Sequence, residues 1–322
     1  MFVNKVVLTA GSSRRSLRLV LAFFMLVTSS AHATGHVFSE VFTNATTSLL
    51  LDVASTGNHM LAVGERGLVI YTQDCGAQWK QVSVPTRETL NAIYFYNEKQ
   101  VWITGHDSLI LQSKDGGQHW KKVHQDIKAE QPLFDIMFIN EKQGFAVGAY
   151  GAYLITTDGG KTWKKKPVYG EDDFHLYTIT KMPKGELLIT GEAGVIYLSV
   201  NQGANWERLK SPYEGTYFGN LTLQNGSFMI YGMRGNLFTT DDMGEHWKKI
   251  STGTQVALES AAVLQDGSVI IVGAGGEVLK IDAALRNVQN QKQGHRIHMS
   301  AVTQCGNGQV FAVGEKGVVK IK

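Results

Sequence analysis

A Gly-x-x-Gly step set between two apolar strands recurs along the chain and dictates what it can fold into. The copies are AVGERGLVIY at Gly64, ITGHDSLILQ at Gly105 (with serine in the last place), AVGAYGAYLI at Gly148, ITGEAGVIYL at Gly191, IYGMRGNLFT at Gly232, IVGAGGEVLK at Gly273 and AVGEKGVVKI at Gly314. Their first glycines are separated by 41, 43, 43, 41, 41 and 41 residues. A fixed period of this size marks units that stack on their neighbours, as in propellers and solenoids. The second period shows four strand signals, LNAIYFYN (90–97), QVWITG (100–105), LILQS (109–113) and HWKKV (119–123), bounded by Asn, Asp and Gly turns. Four short strands per unit make a blade. The expected fold is therefore all-β, a seven-bladed propeller. HVFSEVF (36–42) reads as a lone outer strand, and GVVKIK (317–322) is only the third strand signal of the last unit. The N-terminal strand is thus expected to complete the last blade and close the ring without exposed edges.

A second repeat rides on the first. Five of the six tryptophans close near-copies of one octet: TQDCGAQW (72–79), SKDGGQHW (113–120), TTDGGKTW (156–163), SVNQGANW (199–206) and TDDMGEHW (240–247). Each falls at the turn between the third and fourth strand of its unit. Asp74, Asp115, Asp158, Asn201 and Asp242 can accept backbone N–H groups of their own turns. Gly76, Gly117, Gly160, Gly203 and Gly244 admit a positive φ. Trp79, Trp120, Trp163, Trp206 and Trp247 cover the hairpin. The octet reads as the fastener of an individual blade, lost in the sixth unit (KIDAALRNV, 280–288).

The first 33 residues carry Lys5, Arg14, Arg15 and Arg18, then LVLAFFMLV (19–27) and Ala31-His32-Ala33, the layout of a cleaved secretory signal. The run SRRSLR (13–18) also allows a twin-arginine route. No cysteine sits at the junction, which disfavours a lipoprotein. Residues 34–322 form the propeller domain, expected in the periplasm. Without the signal, 27 Lys and Arg face 28 Asp and Glu, so the balance offers no nucleic-acid footprint. Lys164, Lys165 and Lys166 read as a solvated strand edge. Cys75 and Cys305 are the only cysteines, an even pair suited to an oxidising compartment. In the ring they fall on adjacent blades, but one turn should be peripheral and the other near the axis, so a bond is not expected to reach.

Ser/Thr-x-Asp-x-Gly-x-x-Trp is the Asp-box, or BNR repeat, shared by sialidases, sortilin-like receptors and other propellers. The longer unit LFDIMFINEKQGFAVGAYGAYLITTDGGKTWKK (133–165) resembles the photosystem II stability and assembly factor propellers, and the resemblance runs from about residue 45 to 322. It implies a non-catalytic, exported, monomeric disk that holds segments of a membrane protein or membrane complex during assembly, with no cofactor, no metal and no insertion into the bilayer. In photosynthetic relatives that client is the reaction centre. The alternative is a sialidase-like glycosidase or a carbohydrate- or ligand-binding propeller. Sialidases need three arginines around a carboxylate and a tyrosine nucleophile. Outside the signal this chain has only Arg66, Arg87, Arg208, Arg234, Arg286 and Arg296. His295-x-x-His298 lacks the spacing that aims two imidazoles at one ion. No catalytic residue is assigned.

In a propeller the turns between second and third strands share a face with the linkers between blades, opposite the Asp-boxes. The candidate binding face therefore carries Glu65, Arg66, His106, Asp107, Tyr150, Glu192, Arg234, Glu315 and Lys316. Longer linkers add the aromatic anchors Tyr169, Phe174, Tyr213 and Tyr217.

Overall fold

The computed structural model describes residues 37–291, 293–294 and 296–321. The expected signal segment, 1–33, lies outside them. Seven antiparallel sheets follow one another in chain order, each in simple up-and-down order. The first blade is built from Leu50–Thr56, His59–Gly64, Val69–Thr72 and Lys80–Val82. In the second, Leu90–Phe95, Val101–Gly105, Ile110–Ser113 and Lys121–His124 follow the four segments read from the sequence. The first strand of each blade neighbours the first strand of the next, and Met299–Gln304 of the seventh returns to Leu50–Thr56 of the first. This closes the ring around an axis lined by first strands.

The core is a set of layers between blades. Second strands such as Leu187–Gly191 are buried along their whole length, because both faces of each sheet are covered by the adjacent blades. Leu61 and Val63 of the first blade pack with Val101 and Ile103 of the second. Trp102 of the second blade stacks on Phe138 of the third at 4.4 Å. The glycine that ends each second strand is required by crowding: a Cβ on Gly64 would strike the Leu49 carbonyl at the entry to the blade.

Closure differs from the expectation. The seventh blade has three strands, and residues 37–42 run along the outer edge of the first blade. Ser39 N–H donates to the Val84 carbonyl at 2.9 Å, and the Gln81 side chain takes the place of a strand partner, accepting from Phe42 N–H at 2.8 Å and donating to the Glu40 carbonyl at 2.6 Å. Arg87 adds an ion pair to Glu40 at 3.0 Å. These side-chain partners satisfy the segment on the first blade. The following turn, Ala45–Thr47, reaches the last strand of the seventh blade, where a Cβ on Gly317 would strike the Thr46 carbonyl.

All five Asp-boxes share one hydrogen-bond plan. The Ser or Thr hydroxyl in the first place accepts from the glycine N–H at 2.8–3.0 Å and donates to the Asp, or to the Asn201 oxygen. That acceptor also takes the N–H four residues on, as Thr162 N–H to Asp158 at 2.9 Å. The sixth unit keeps this last element in Asp282, which accepts from Arg286 N–H. Beyond its own blade, however, the box touches the one before. Gly160 has φ +77°, and a Cβ there would enter the ring of Trp102 in the preceding blade; Gly76, Gly117 and Gly203 face Phe311, Leu61 and Phe145 in the same way. The box is therefore a wedge between blades as well as a fastener within one.

The cysteines are bonded, with Cα atoms 5.7 Å apart, contrary to the reach argued from the ring. The Asp-box turn folds back over the turn between its blade's first and second strands, where Cys75 N–H donates to the Asn58 carbonyl at 3.1 Å. From the seventh blade, Gly306 N–H donates to the adjoining Gly57 carbonyl at 2.7 Å. Turns that begin at different radii thus meet over one dipeptide.

Candidate binding face and axial channel

Hydrogen bonds place the Gly-x-x-Gly turns and the interblade linkers together. Gly67 N–H donates to the Glu88 carbonyl, Ser108 N–H to Gln131 and Gly151 N–H to Phe174. On the opposite face the Asp-boxes sit on the turns between first and second strands, with Gly116 N–H on the Lys99 carbonyl and Gly159 N–H on Lys142. The sequence-derived division into two faces therefore holds.

At the tips of three turns a large side chain occupies a left-handed backbone: Arg66 at φ 50°, Tyr150 at φ 53° and Arg234 at φ 56°. Asp107 is also left-handed, at φ 57°, and is half-buried beside the exposed His106. Non-glycine residues enter this region at a cost. Tyr150 is 57% exposed. Arg66 lies over the Phe42 ring at 5.4 Å. Glu315 and Lys316 are exposed, and Glu192 is half-buried, accepting from His175 N–H at 2.8 Å. Among the linker aromatics Tyr169 is exposed and packs on Tyr197. Phe174 is half-buried under Arg208, which also pairs with Asp172 at 3.2 Å. Tyr213 is half-buried in the fifth blade's cluster. Tyr217 is not an anchor: it is fully buried, and its hydroxyl meets Ser211 at 2.9 Å. As the first residue of its strand, its side chain turns into the core.

Arg66 and Arg234 belong to the first and fifth blades, on distant arcs of the ring, while Arg87 and Arg208 are engaged at Glu40 and Asp172. No three of these form a cluster around one point. Asp242, Glu245 and His246 could approach one ion, but the last two are exposed and all three belong to an Asp-box turn.

The sequence reading missed the axial channel. Every first strand carries a β-bulge beside its Gly-x-x-Gly turn, at Leu50/Asp52 in the first blade and Leu133/Asp135 in the third. A bulge turns two successive side chains toward the same side. Two rings of residues consequently line a cavity of about 340 Å³ on the axis. The upper ring holds Leu51, Asn91, Phe134, Tyr177, Phe218, Glu259 and Ser300; the lower includes Asp52, Asp135, Thr178 and Ser260.

The lower carboxylates serve the frame. Asp52 accepts from Val53 N–H and from Ile93 N–H of the next blade, both at 2.8 Å. Asp135 likewise accepts from Ile136 at 2.7 Å and Ile179 at 2.9 Å. Each thus ties two first strands together. The Ser260 hydroxyl accepts from Val302 N–H in the same role, while the Tyr231 hydroxyl, from the second strand of the fifth blade, accepts from Ala261 N–H of the sixth. Enclosure in the channel wall raises Asp52 to about 6 and Asp135 to about 7, against the opposing pull of those N–H bonds.

The upper ring is asymmetric. Phe134 and Tyr177 stack at 5.3 Å, and Tyr177 meets Phe218 edge-on at 5.3 Å, forming an aromatic crescent over the third to fifth blades. His175 joins Phe134 at 6.2 Å to Tyr150 at 4.7 Å, so the crescent continues out to an exposed turn tip. Next in the ring after Phe218, on the first strand of the sixth blade, stands Glu259, whose carboxyl is raised by burial and partly lowered again by His298. Burial, then Glu192 and Glu259, raise the Tyr177 phenol.

Among the described residues no helix is long and apolar enough to cross a membrane. Two solved propellers, YCF48 bound to D1 peptide and YCF48 from Cyanidioschyzon merolae, superpose with TM-scores of 0.70 each at 20% and 18% identity, covering 87% and 88% of this chain and 97% and 98% of theirs. A streptogramin B lyase structure superposes as well, with a TM-score of 0.73 at 14% identity over 88% of this chain and 96% of its own. At these identities the likeness is one of fold. In sequence, the photosystem II assembly lipoprotein Ycf48 of Synechococcus sp. (strain CC9902) is 33% identical over 82 residues, 24% of this chain and 25% of that protein. The chloroplastic photosystem II stability/assembly factor HCF136 of Cyanidioschyzon merolae is 36% identical over 61 residues, 18% of this chain and 14% of that protein. The matches thus span a quarter or less of these relatives. The family described as photosynthesis system II assembly factor YCF48 matches residues 34–129 and 124–320, nearly the whole propeller, and the chain belongs to that family.

Proposed function

We propose that the protein is a non-catalytic, exported docking propeller that holds a segment of a membrane-protein client on the face opposite its Asp-boxes. The observation that carries this reading is the family match across both halves of the ring. A propeller of that name has been seen bound to a D1 peptide, which supports a peptide-holding role. Rigidity suits such a role. The Asp-box wedges and the two bridging aspartates fix the blades, and loops on a fixed ring present a constant surface. The disulfide suits an oxidising compartment, in keeping with export and a periplasmic location.

The test is affinity purification of the tagged protein from envelope extracts. A membrane-protein complex should co-purify, and Tyr150→Ala or Arg66→Glu should reduce its yield while Lys99→Glu, on the Asp-box face, should not. Equal recovery from all variants, or no membrane protein at all, would overturn the proposal.

A further inference from the structure

The upper ring of the axial channel holds two features that the frame does not use. One is the aromatic crescent of Phe134, Tyr177 and Phe218, whose faces remain half-exposed to the cavity. The other is Glu259. Unlike Asp52 and Asp135, whose oxygens are taken by backbone N–H groups, the Glu259 carboxylate has no hydrogen-bond or ion-pair partner among the described residues. His298 is the one charge-bearing group that offsets its burial, and it lies beyond ion-pair distance, so the carboxylate recovers only part of the hydration it loses. Aromatic faces and a carboxylate lining one cavity attract a cation in two ways, by ring quadrupole and by charge. The volume also selects the guest. About 340 Å³ lies at the small end of ligand cavities, roughly 300–1,000 Å³, enough for one long side chain and too small for a folded segment.

We propose that the channel mouth is a socket for a single cationic side chain, a guanidinium or alkylammonium group projecting from a partner polypeptide and held between the Phe134–Tyr177–Phe218 crescent and Glu259. The crescent's outward continuation through His175 to Tyr150 gives the flanking residues of that polypeptide a surface on which to lie. This deepens the docking reading and rests on it for the existence of a client, but the chemistry of the socket is testable without one.

Calorimetric titration with two blocked pentapeptides, one with a central arginine and one with glutamine in its place, tests the socket on the unmodified protein. The arginine peptide should bind at least about tenfold more tightly. Glu259→Gln and Tyr177→Leu should each remove most of that preference, with thermal melts confirming that the variants fold, and Glu98→Gln on the opposite face should leave it intact. Equal binding of the two peptides, a stronger glutamine peptide, or a preference that survives Glu259→Gln would overturn the proposal. If either variant does not fold, the peptide pair on the unmodified protein still decides it. Co-purification of a client together with equal peptide binding would sink the socket alone and leave docking standing.

Discussion

Replacing Cys75 and Cys305 with alanine isolates what the covalent link contributes to the ring. The bond closes a loop with a sequence separation of 230 residues. On the chain-entropy relation this is worth about 5 kcal/mol, with measured bonds commonly giving 2–4. Alanine is the right replacement, because the sulfurs sit in an apolar cluster with Met60 and Phe311, where a serine hydroxyl would be buried among apolar atoms. The truncations themselves leave small cavities costing about 1 kcal/mol. For a ring of this size each kcal/mol shifts Tm by roughly 2 °C, so the double variant should melt about 5–10 °C lower. A bond is lost entirely when either partner goes, so Cys75→Ala alone should produce nearly the whole loss and the second substitution should add little. Calorimetric melts of both single variants and the double complete the cycle. Losses that add across the two sites, or a double variant within about 2 °C of the parent, would refute the account of a long-range closure.

The wedge role of the Asp-box predicts that Gly160→Ala, whose Cβ would enter the Trp102 ring, lowers stability by about 2–4 kcal/mol, and that Gly159→Ala, facing only the Glu141 carbonyl, costs less; denaturant titration ranks them. Tyr217→Phe, which loses the hydroxyl contacts to Ser211 and the Tyr213 carbonyl, should cost about 1 kcal/mol and leave client recovery unchanged, whereas Tyr150→Ala should do the reverse. Burial raises Asp52 and Asp135 from 3.8 to about 6 and about 7, so their contribution is complete below the unfolded value and is lost as pH rises through those raised values. Tm should therefore fall between about pH 4 and pH 7, with Asp135→Asn flattening the slope; a parent Tm that rises over this range would contradict the assignment. Asp158, held down to about 2 by the Thr162 hydroxyl and N–H, has the opposite sign, and its turn should loosen only as pH falls below about 4.

The sequence made visible what repeats. Seven Gly-x-x-Gly steps and five octets gave blade number, strand order and the two faces, because each glycine answers to a crowding that recurs in every blade. It did not show what the repeats do to the axis. Strict alternation sends only one of two neighbouring residues inward, yet the bulge sends both Phe134 and Asp135 there. Aligning the seven first strands at Leu50, Leu90, Leu133, Leu176, Tyr217, Leu258 and Met299 brings out both rings as columns, but only the bulge turns both columns toward the channel. Residues 37–42 misled for a related reason. Their alternation fits a strand, and only the position of Gln81, whose amide takes the place of ladder bonds, decides which blade they join.

The seam explains why the disulfide sits where it does. Between the first and second blades, and at each later boundary up to the seventh, the chain itself runs across as a linker, so those blades cannot separate far even when their packing loosens. Between the seventh blade and the first no linker crosses among the described residues, and the Ala45–Thr47 turn meets the last strand by packing alone. Packing there follows the same plan as elsewhere, with Gly76 of the first Asp-box seated on Phe311 as Gly160 is on Trp102, but the seventh blade has one strand fewer to cover its outer edge. A bond from the first Asp-box to the seventh blade supplies the missing covalent crossing at the single boundary that lacks one. By the same reasoning, a comparable crosslink at any other boundary would close a much shorter loop and stabilise the ring less.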